Sequence, residues 1–522
     1  MFNTQKDQLF TLIKSLSKSE KRNFKLYANR FQSGTDTKFI QLFDAMDKLQ
    51  EYDEVQLLKK LKEVKKRHLA NLKRHLYKQI MVSLRLIYIQ KNIDIQIREQ
   101  LDFARILYGK GLYMQSLKIL ERIKKIAVEH HQDILHLEIL EFRKLIEARH
   151  VTRNWKIKNE IEGLMEESDK RSQVTNSTSK LSNLNIIIHG YYIRFGHVKT
   201  QEDIQKVQYF YKEKTPNDLS RSKLTFFEKS NLYQANMWYF YIQLDFEACL
   251  EQTRQWINLF EVDDKMKEKD PDLFMRACYY LLTYLYLLKD QEEFAFYLKK
   301  FEAFEKDFGE QFNVNSQTTA FTYLNLSRLN LLLLNRDYDS GRKLAGELVK
   351  NASKFQANID PQRLLLFNYK AAYFSFACGD FNETLDFLQP ITALKHDFLR
   401  ADLFYNARLL QLICYYELDD YDFVANQLPN LQRNFKKLPE VNKLQQCTLD
   451  LLKELIKTPS TERKQVLDHF LSQIELLRTD PFEKKARTYL DTALWIQSKL
   501  QNSLMTEVVP PLETPSLLRH TG

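Results

Sequence analysis

The sequence predicts an all-α protein, and three features carry that prediction. Glycine and proline are scarce, 11 of each in 522 residues, where average usage gives about 37 and about 26. Both are costly inside helices and favoured in turns, so a chain poor in both has few long loops. No proline precedes Pro216, which leaves the first part of the chain without an obligatory helix breaker. Apolar residues recur at helical spacing along most of the sequence. At this length several domains or an extended array are expected.

The elements follow in order. Leu9, Leu12, Ile13 and Leu16 mark one helix face, and Ser17 with Glu20 forms a capping-box pattern for the next helix. That helix places Phe24, Tyr27 and Phe31 on one face, a core spacing and not a base-stacking platform. "SGTD" at 33–36 turns the chain into a third helix near 37–50, and Asp53 with Gln56 opens a basic helical stretch running to about Asn92. The polar run "ESDKRSQVTNSTSK" at 167–180 is the best internal loop or linker. Beyond it, Asp270-Pro271, Asp360-Pro361 and Asp480-Pro481 mark helix starts. Aspartate suits the N-cap, and proline suits the first helical position, where its missing amide costs nothing. "DPFEKKARTYLDTALWIQSKLQ" at 480–501 reads as a terminal capping helix, and 503–522 as a disordered tail.

A short pattern recurs between apolar runs. It appears as "GLYMQSLKIL" at 111–120, "LDFEACLEQT" at 244–253, "RDYDSGRKLA" at 336–345, "CGDFNETLDFL" at 378–388 and "DDYDFVANQL" at 419–428. Its aromatics are Tyr113, Phe246, Phe294, Tyr338, Phe381 and Tyr421, the last five separated by 48, 44, 43 and 40 residues. Three positions later stands a compact residue (Ser116, Cys249, Gly341, Thr384 or Val424), with Tyr297 the exception. Each copy thus reads as the turn of a helical hairpin, the aromatic plugging the joint and the compact residue allowing close helix approach. "GDFNET" at 379–384 resembles the tetratricopeptide turn, Gly-Asp/Asn-Tyr-x-x-Ala, with Thr384 in the alanine place. The spacing exceeds that family's 34 residues, and its tryptophan and proline positions are not evident. The resemblance covers roughly 97–130 and 230–480 and implies an α-α superhelix, a solenoid with a concave binding surface. The interval 131–230 has no readable phase.

The resulting division is a basic N-terminal helical domain (1–92), first helical hairpins (93–175), a repeat array with its cap (176–502) and a tail (503–522). Net charge is +10, but residues 1–150 hold 30 Lys and Arg against 18 Asp and Glu. Within 59–78 lie Lys59, Lys60, Lys62, Lys65, Lys66, Arg67, Lys73, Arg74 and Lys78, against Glu63. Leu61, Val64, Leu69, Leu72 and Leu76 form the apolar stripe between them. Such a helix can lie along a phosphate backbone. A solvated basic face is the preferred reading; nucleic acid, an anionic membrane surface or an acidic protein stay open.

No catalytic, cofactor or metal signature emerges. "GKG" at 109–111 lacks the spacing of a phosphate loop. His130, Asp133 and His136 fan around a helix, and the run 129–136 reads as a solvated helix end. Five scattered cysteines read as reduced core residues of a cytoplasmic protein. The longest apolar run, 277–288, is too short to span a membrane. The sequence therefore leads to an expectation of a non-enzymatic cytoplasmic scaffold, without cofactor, that binds an unidentified protein through the repeat surface. A nucleic-acid-linked regulator is the alternative.

Overall fold

A computed structural model describes residues 7–29, 36–61, 65–150, 158–216, 224–355, 359–394, 401–437, 442–485 and 488–508. Among them there are 24 α-helices and no strand. The turn at 33–35, Arg30, Phe31, Lys62, Glu63, Val64 and the tail from 509 onward lie outside the described residues. The chain divides into two compact units, Met1–Thr175 and Asn176–Gly522.

The first unit opens with α1 (Gln8–Ser15), α2 (Lys18–Ala28), α3 (Asp36–Lys48), α4 (Glu54–Lys60) and α5 (Lys66–Tyr88). Ser17 and Glu20 form the reciprocal capping box, and Asp53 accepts the Val55 and Gln56 amides at the start of α4. Ile13, Phe24, Phe43, Leu57, Leu76 and Ile80 bury one core between these helices. A separate core joins α6 (Ile93–Gly109), α7 (Tyr113–Glu129) and α8 (Asp133–Arg149) through Ile97, Leu120, Ile123 and Ile139.

The run 167–180 is not a loop. It lies within α9, a helix from Lys158 to Phe195. It contains neither glycine nor proline, and Thr175 satisfies its hydroxyl on the Arg171 carbonyl one turn back, at 2.9 Å. Polar composition alone does not break a helix when the hydroxyls can bond the preceding turn.

The second unit continues with α10 (Gln201–Lys214), α11 (Phe226–Ile242), α12 (Phe246–Val262), the short α13 (Lys265–Lys269), α14 (Pro271–Leu287), α15 (Gln291–Phe308), α16 (Val314–Leu334) and α17 (Tyr338–Phe355). Next come α18 (Pro361–Ala377), α19 (Phe381–Thr392), α20 (Ala401–Glu417), α21 (Tyr421–Lys437), α22 (Lys443–Leu455), α23 (Arg463–Leu476) and α24 (Thr492–Gln501). The helices pair as hairpins, α11 with α12 and then α14/α15, α16/α17, α18/α19, α20/α21 and α22/α23. First helices also pack on one another in the order α14, α16, α18, α20, α22. Sandwiched in this way, they are apolar around most of their circumference; α18 buries Phe367, Tyr369, Ala371, Ala372, Phe374 and Phe376.

One backbone device makes five of these joints. After each first helix a residue adopts positive φ: Leu244 (61°), Lys289 (60°), Arg336 (57°), Gly379 (80°) and Asp419 (59°). The next residue is Asp245, Asp290, Asp337, Asp380 or Asp420, and its amide reaches back to the carbonyl of Phe240, Leu285, Leu332, Ser375 or Tyr415. This is a Schellman closure. The same aspartate caps the following helix by accepting the amide three residues on, that of Ala248, Glu293, Ser340, Glu383 or Phe423. Each such cap is worth about 1 kcal/mol.

The device corrects one assignment. Four residues after each capping aspartate stand Cys249, Gly341, Thr384 and Val424, all buried. In the second hairpin that place belongs to Phe294, fully buried, and the turn-aromatic place belongs to Gln291. Phe294 is therefore not the turn aromatic, and with Gln291 in that place the joints are separated by 45, 47, 43 and 40 residues. Phe246 and Tyr338 are buried at their joints, while Tyr113, Phe381 and Tyr421 are half-buried.

The C-terminus departs from expectation as well. Asp480-Pro481 opens only a 3-10 turn, Pro481–Glu483. The terminal helix starts at Thr492, capped by Asp491. The Glu483 carboxylate at the end of that turn accepts the Lys443 and Leu444 amides at 2.8 and 3.2 Å and so caps α22 from outside. Asn502, at φ 50°, bends the chain so that Met505 and Val508 return to the core; the described part of the supposed tail is packed.

Close approach of α17 to the next first helix, α18, is testable at Gly341. A Cβ there meets the Phe374 ring at 2.0 Å, whereas at Gly346 on the same helix it meets nothing within 4 Å. Gly341→Ala is expected to cost about 2 kcal/mol in urea unfolding, and Gly346→Ala to gain about 0.5–1 kcal/mol.

Candidate binding face of the second unit

The first helices carry polar and aromatic side chains to a common face. Tyr279 of α14 stacks on Tyr323 of α16 at 4.3 Å between centroids and 13° between planes. Arg363 of α18 lies over both rings, at 5.1 and 5.6 Å, and donates to the Tyr279 hydroxyl at 2.9 Å. One guanidinium thus ties three consecutive first helices. The Tyr279 oxygen facing it raises its pKa further, so the charge is permanent. One turn or two along the same helices, Lys370 donates to Asn330 at 2.6 Å and sits 5.6 Å from the Tyr286 ring centre.

A second cluster forms around Lys485, in the segment between α23 and α24. Its ammonium donates to Tyr192 of α9 at 2.8 Å and lies 5.3 and 5.1 Å from the Tyr192 and Tyr241 ring centres. Burial works against that charge, but the surrounding tyrosine oxygens and the Asp402 carboxylate more than offset it and raise the pKa. Four residues on, Tyr489 donates to Asp402 of α20 and accepts at its carbonyl from Tyr369 of α18, the latter at 3.0 Å. Trp238 of α11 links the clusters, packing on Tyr192 at 5.5 Å and on Tyr280 at 5.6 Å. His197 bonds the Tyr241 carbonyl at 2.8 Å through Nδ1, and burial holds the ring well below the usual histidine pKa. Tyr280, Tyr286, Tyr323, Arg363, Lys370, Tyr373 and Lys485 are all half-buried, neither sealed in a core nor free.

This face is made of ammonium and guanidinium groups held over phenol rings, each contact worth about 0.5–2 kcal/mol depending on desolvation. Sequence reasoning missed it because the tyrosines sit within apolar runs such as 277–288 and read as core. The signal was present in those runs, where tyrosine stands in place of leucine on helices already apolar on their other sides.

The basic residues singled out in the sequence take two different roles. Lys59, Lys60, Lys65, Lys66, Arg67, Arg74 and Lys78 are exposed. Lys73 instead pairs with Asp7 at 2.8 Å and bonds Tyr52, tying α5 to the start of α1. Arg67, Arg74, Lys78 and Arg85 recur at one helical face of α5, all exposed, and span about 27 Å.

The 129–136 run is not a solvated end. His136 is buried and bonds Glu167 at 2.9 Å, while Arg171 pairs with Asp133. Burial lowers the His136 pKa, helped by Arg171, so the ring is a neutral packing group. Among the described residues no group of three or more His, Cys, Asp or Glu is placed to hold a metal, and no helix is long and apolar enough to cross a membrane. All five cysteines are free, and burial pushes the Cys378 and Cys447 thiols up to about 11. The chain matches no family model, no curated protein and no solved structure.

Lys370 offers a test of the electrostatics of this face. Burial lowers its pKa to about 8, against about 10.4 for an unfolded lysine. The unfolded chain binds that proton more tightly, so the charge costs stability below pH 8, and the cost vanishes as pH rises to about 10. Lys370→Met is expected to stabilise the protein by about 1 kcal/mol at pH 7, after discounting for solvent screening, and to change little at pH 10. Urea unfolding of variant and parent at the two pH values measures this; an equal difference at both contradicts it.

Proposed function

We propose that the protein is a non-enzymatic interaction scaffold whose second unit is a tetratricopeptide-like superhelix. The first helices of that superhelix line a concave surface that binds a peptide segment of a partner protein. The supporting observation is the first-helix face, where Arg363, Lys370 and a set of half-buried tyrosines lie together across α14, α16 and α18. Phenol rings are rigid and carry a polar tip, so they give contact area at low entropic cost. Fixed cations between them select backbone carbonyls and acidic side chains of an extended segment. The hairpin joints favour the repeat reading, since second helices begin at Phe246, Gln291, Tyr338, Phe381 and Tyr421 with one shared turn geometry.

The test screens the full chain against an array of 12-residue peptides. Peptides that bind are expected to lose at least ten-fold in affinity for an Arg363→Ala/Tyr323→Ala variant. Affinity should be unchanged for Lys299→Ala, which alters an exposed position on a second helix. Equal affinity for all three proteins contradicts the proposal.

A second reading, contact with nucleic acid through the first unit, is favoured by the exposed stripe of Arg67, Arg74, Lys78 and Arg85 on α5. Phosphate contacts give a steep loss of affinity with salt. Duplex DNA titrated with the full chain over 50–200 mM salt is expected to show that slope, reduced by about two in the Arg74→Glu/Lys78→Glu variant. Absence of binding at 50 mM removes this reading.

A further inference from the structure

Three half-buried cations stand in the clusters described above, and the fold compensates two of them. Arg363 donates to the Tyr279 hydroxyl, and Lys485 has Tyr192 with the Asp402 carboxylate near it. Lys370 has only the neutral Asn330 amide, at 2.6 Å, and the Tyr286 ring. Among the described residues no carboxylate pairs with it, and burial against these neutral partners lowers its pKa to about 8. Hydrogen-bonding capacity is left over around the ammonium. Asn330 is buried and gives its Oδ1 to Lys370, which leaves its Nδ2 as a donor. Tyr286 lies beside Lys370, and Tyr373 stands one turn further along α18. Burial pushes both phenols up, so they stay O–H donors. Among the described residues no hydrogen bond reaches Asn330 Nδ2 or either hydroxyl, and none of the three atoms is sealed from solvent. Tyr338 of α17 and Asp491, the cap of α24, also face these phenols; the Asp491 carboxylate accepts the Leu494 amide at 3.0 Å.

We propose that Lys370, Asn330, Tyr286 and Tyr373 form an anion subsite of the first-helix face, which takes the carboxylate of an aspartate or glutamate in the bound segment. The inference rests on the peptide-binding reading above and names the side chain that the segment must carry. One ammonium flanked by neutral donors matches a single negative charge, and hydrogen bonds to a carboxylate are about twice as strong as neutral ones. The uncompensated cation costs stability in the free chain, a cost that binding sites carry and packing sites do not. A carboxylate beside Lys370 favours its charged form, so its pKa rises on binding. Binding therefore takes up a proton above pH 8: affinity is full below that pH and falls as pH rises toward about 10.

The probe is N-acetyl-aspartate N-methylamide, added to the full chain labelled with carbon-13 at lysine Cε, with Lys370→Met assigning the Lys370 resonance. At pH 8.5 the probe is expected to move that resonance toward the ammonium position, its titration midpoint rising by about one pH unit. The asparagine analogue at equal ionic strength should leave it in place. No movement up to 100 mM aspartate probe, or equal movement with both probes, overturns the proposal. Peptides that bind in the array give a second readout. Replacing the anchoring Asp or Glu by its amide is expected to weaken binding at least ten-fold with the parent and not at all with Lys370→Met, the more stable of the two chains at pH 7. Peptides that lose affinity for Arg363→Ala/Tyr323→Ala but bind Lys370→Met as tightly as the parent defeat the subsite alone. A probe response without binding of any peptide defeats the scaffold reading and supports the subsite.

Discussion

The second unit depends on a single backbone constraint: a residue at positive φ followed by an aspartate that caps the next helix. The first of these ends one helix by returning its last carbonyls to the chain, and the second starts the next within two residues. Only Gly379 meets the left-handed requirement without a steric cost; Leu244, Lys289, Arg336 and Asp419 adopt it at about 1 kcal/mol each. Five joints share this one closing hydrogen bond and this one cap. Cys249, Gly341, Thr384 and Val424 are buried four residues after the capping aspartate at four of these joints, and Phe294 holds that place at the fifth.

Packing decides what the first helices can do. α16, α18 and α20 are each packed by their own partner and by the first helices before and after them, so only a narrow strip remains for polar groups. Along that strip the chain places Tyr279, Tyr323, Arg363, Tyr286 and Lys370. A cation here loses water and gains ring faces and hydroxyls in exchange. The balance differs between sites. Arg363 keeps its charge through the Tyr279 oxygen, while Lys370, supported by a neutral amide, falls to about 8. The segment carrying Lys485 and Tyr489 meets the same chemistry from outside the hairpins.

Much of the fold was legible because its determinants are local. The Ser17–Glu20 box and the Asp-Pro starts at 270 and 360 need only residues three apart, and they stand where the spacing placed them. Errors arose where a distant partner decides. Phe294 looked like a turn aromatic because only the position of Asp290, fixed by the preceding helix end, shows it to be four residues into α15. The 167–180 run looked like a loop because its helix is set by context and not by an apolar stripe. Asp480-Pro481 reads as the start of a long helix, yet it opens only a short turn whose Glu483 carboxylate caps a helix some 40 residues earlier, and the terminal helix takes its own cap from Asp491. The candidate face was the least legible part. Its residues are scattered over α9, α11, α14, α16, α18 and α20, with Lys485 and Tyr489 from beyond α23, and no short pattern joins them.

The first helices α14, α16 and α18 meet through cations held on tyrosine rings. A double-mutant cycle between Arg363→Met and Tyr279→Phe, read by urea unfolding, tests it most directly. The account predicts a coupling energy of about 1–2 kcal/mol, since the pair shares a hydrogen bond and a ring contact across two hairpins. Additivity within about 0.3 kcal/mol would contradict it.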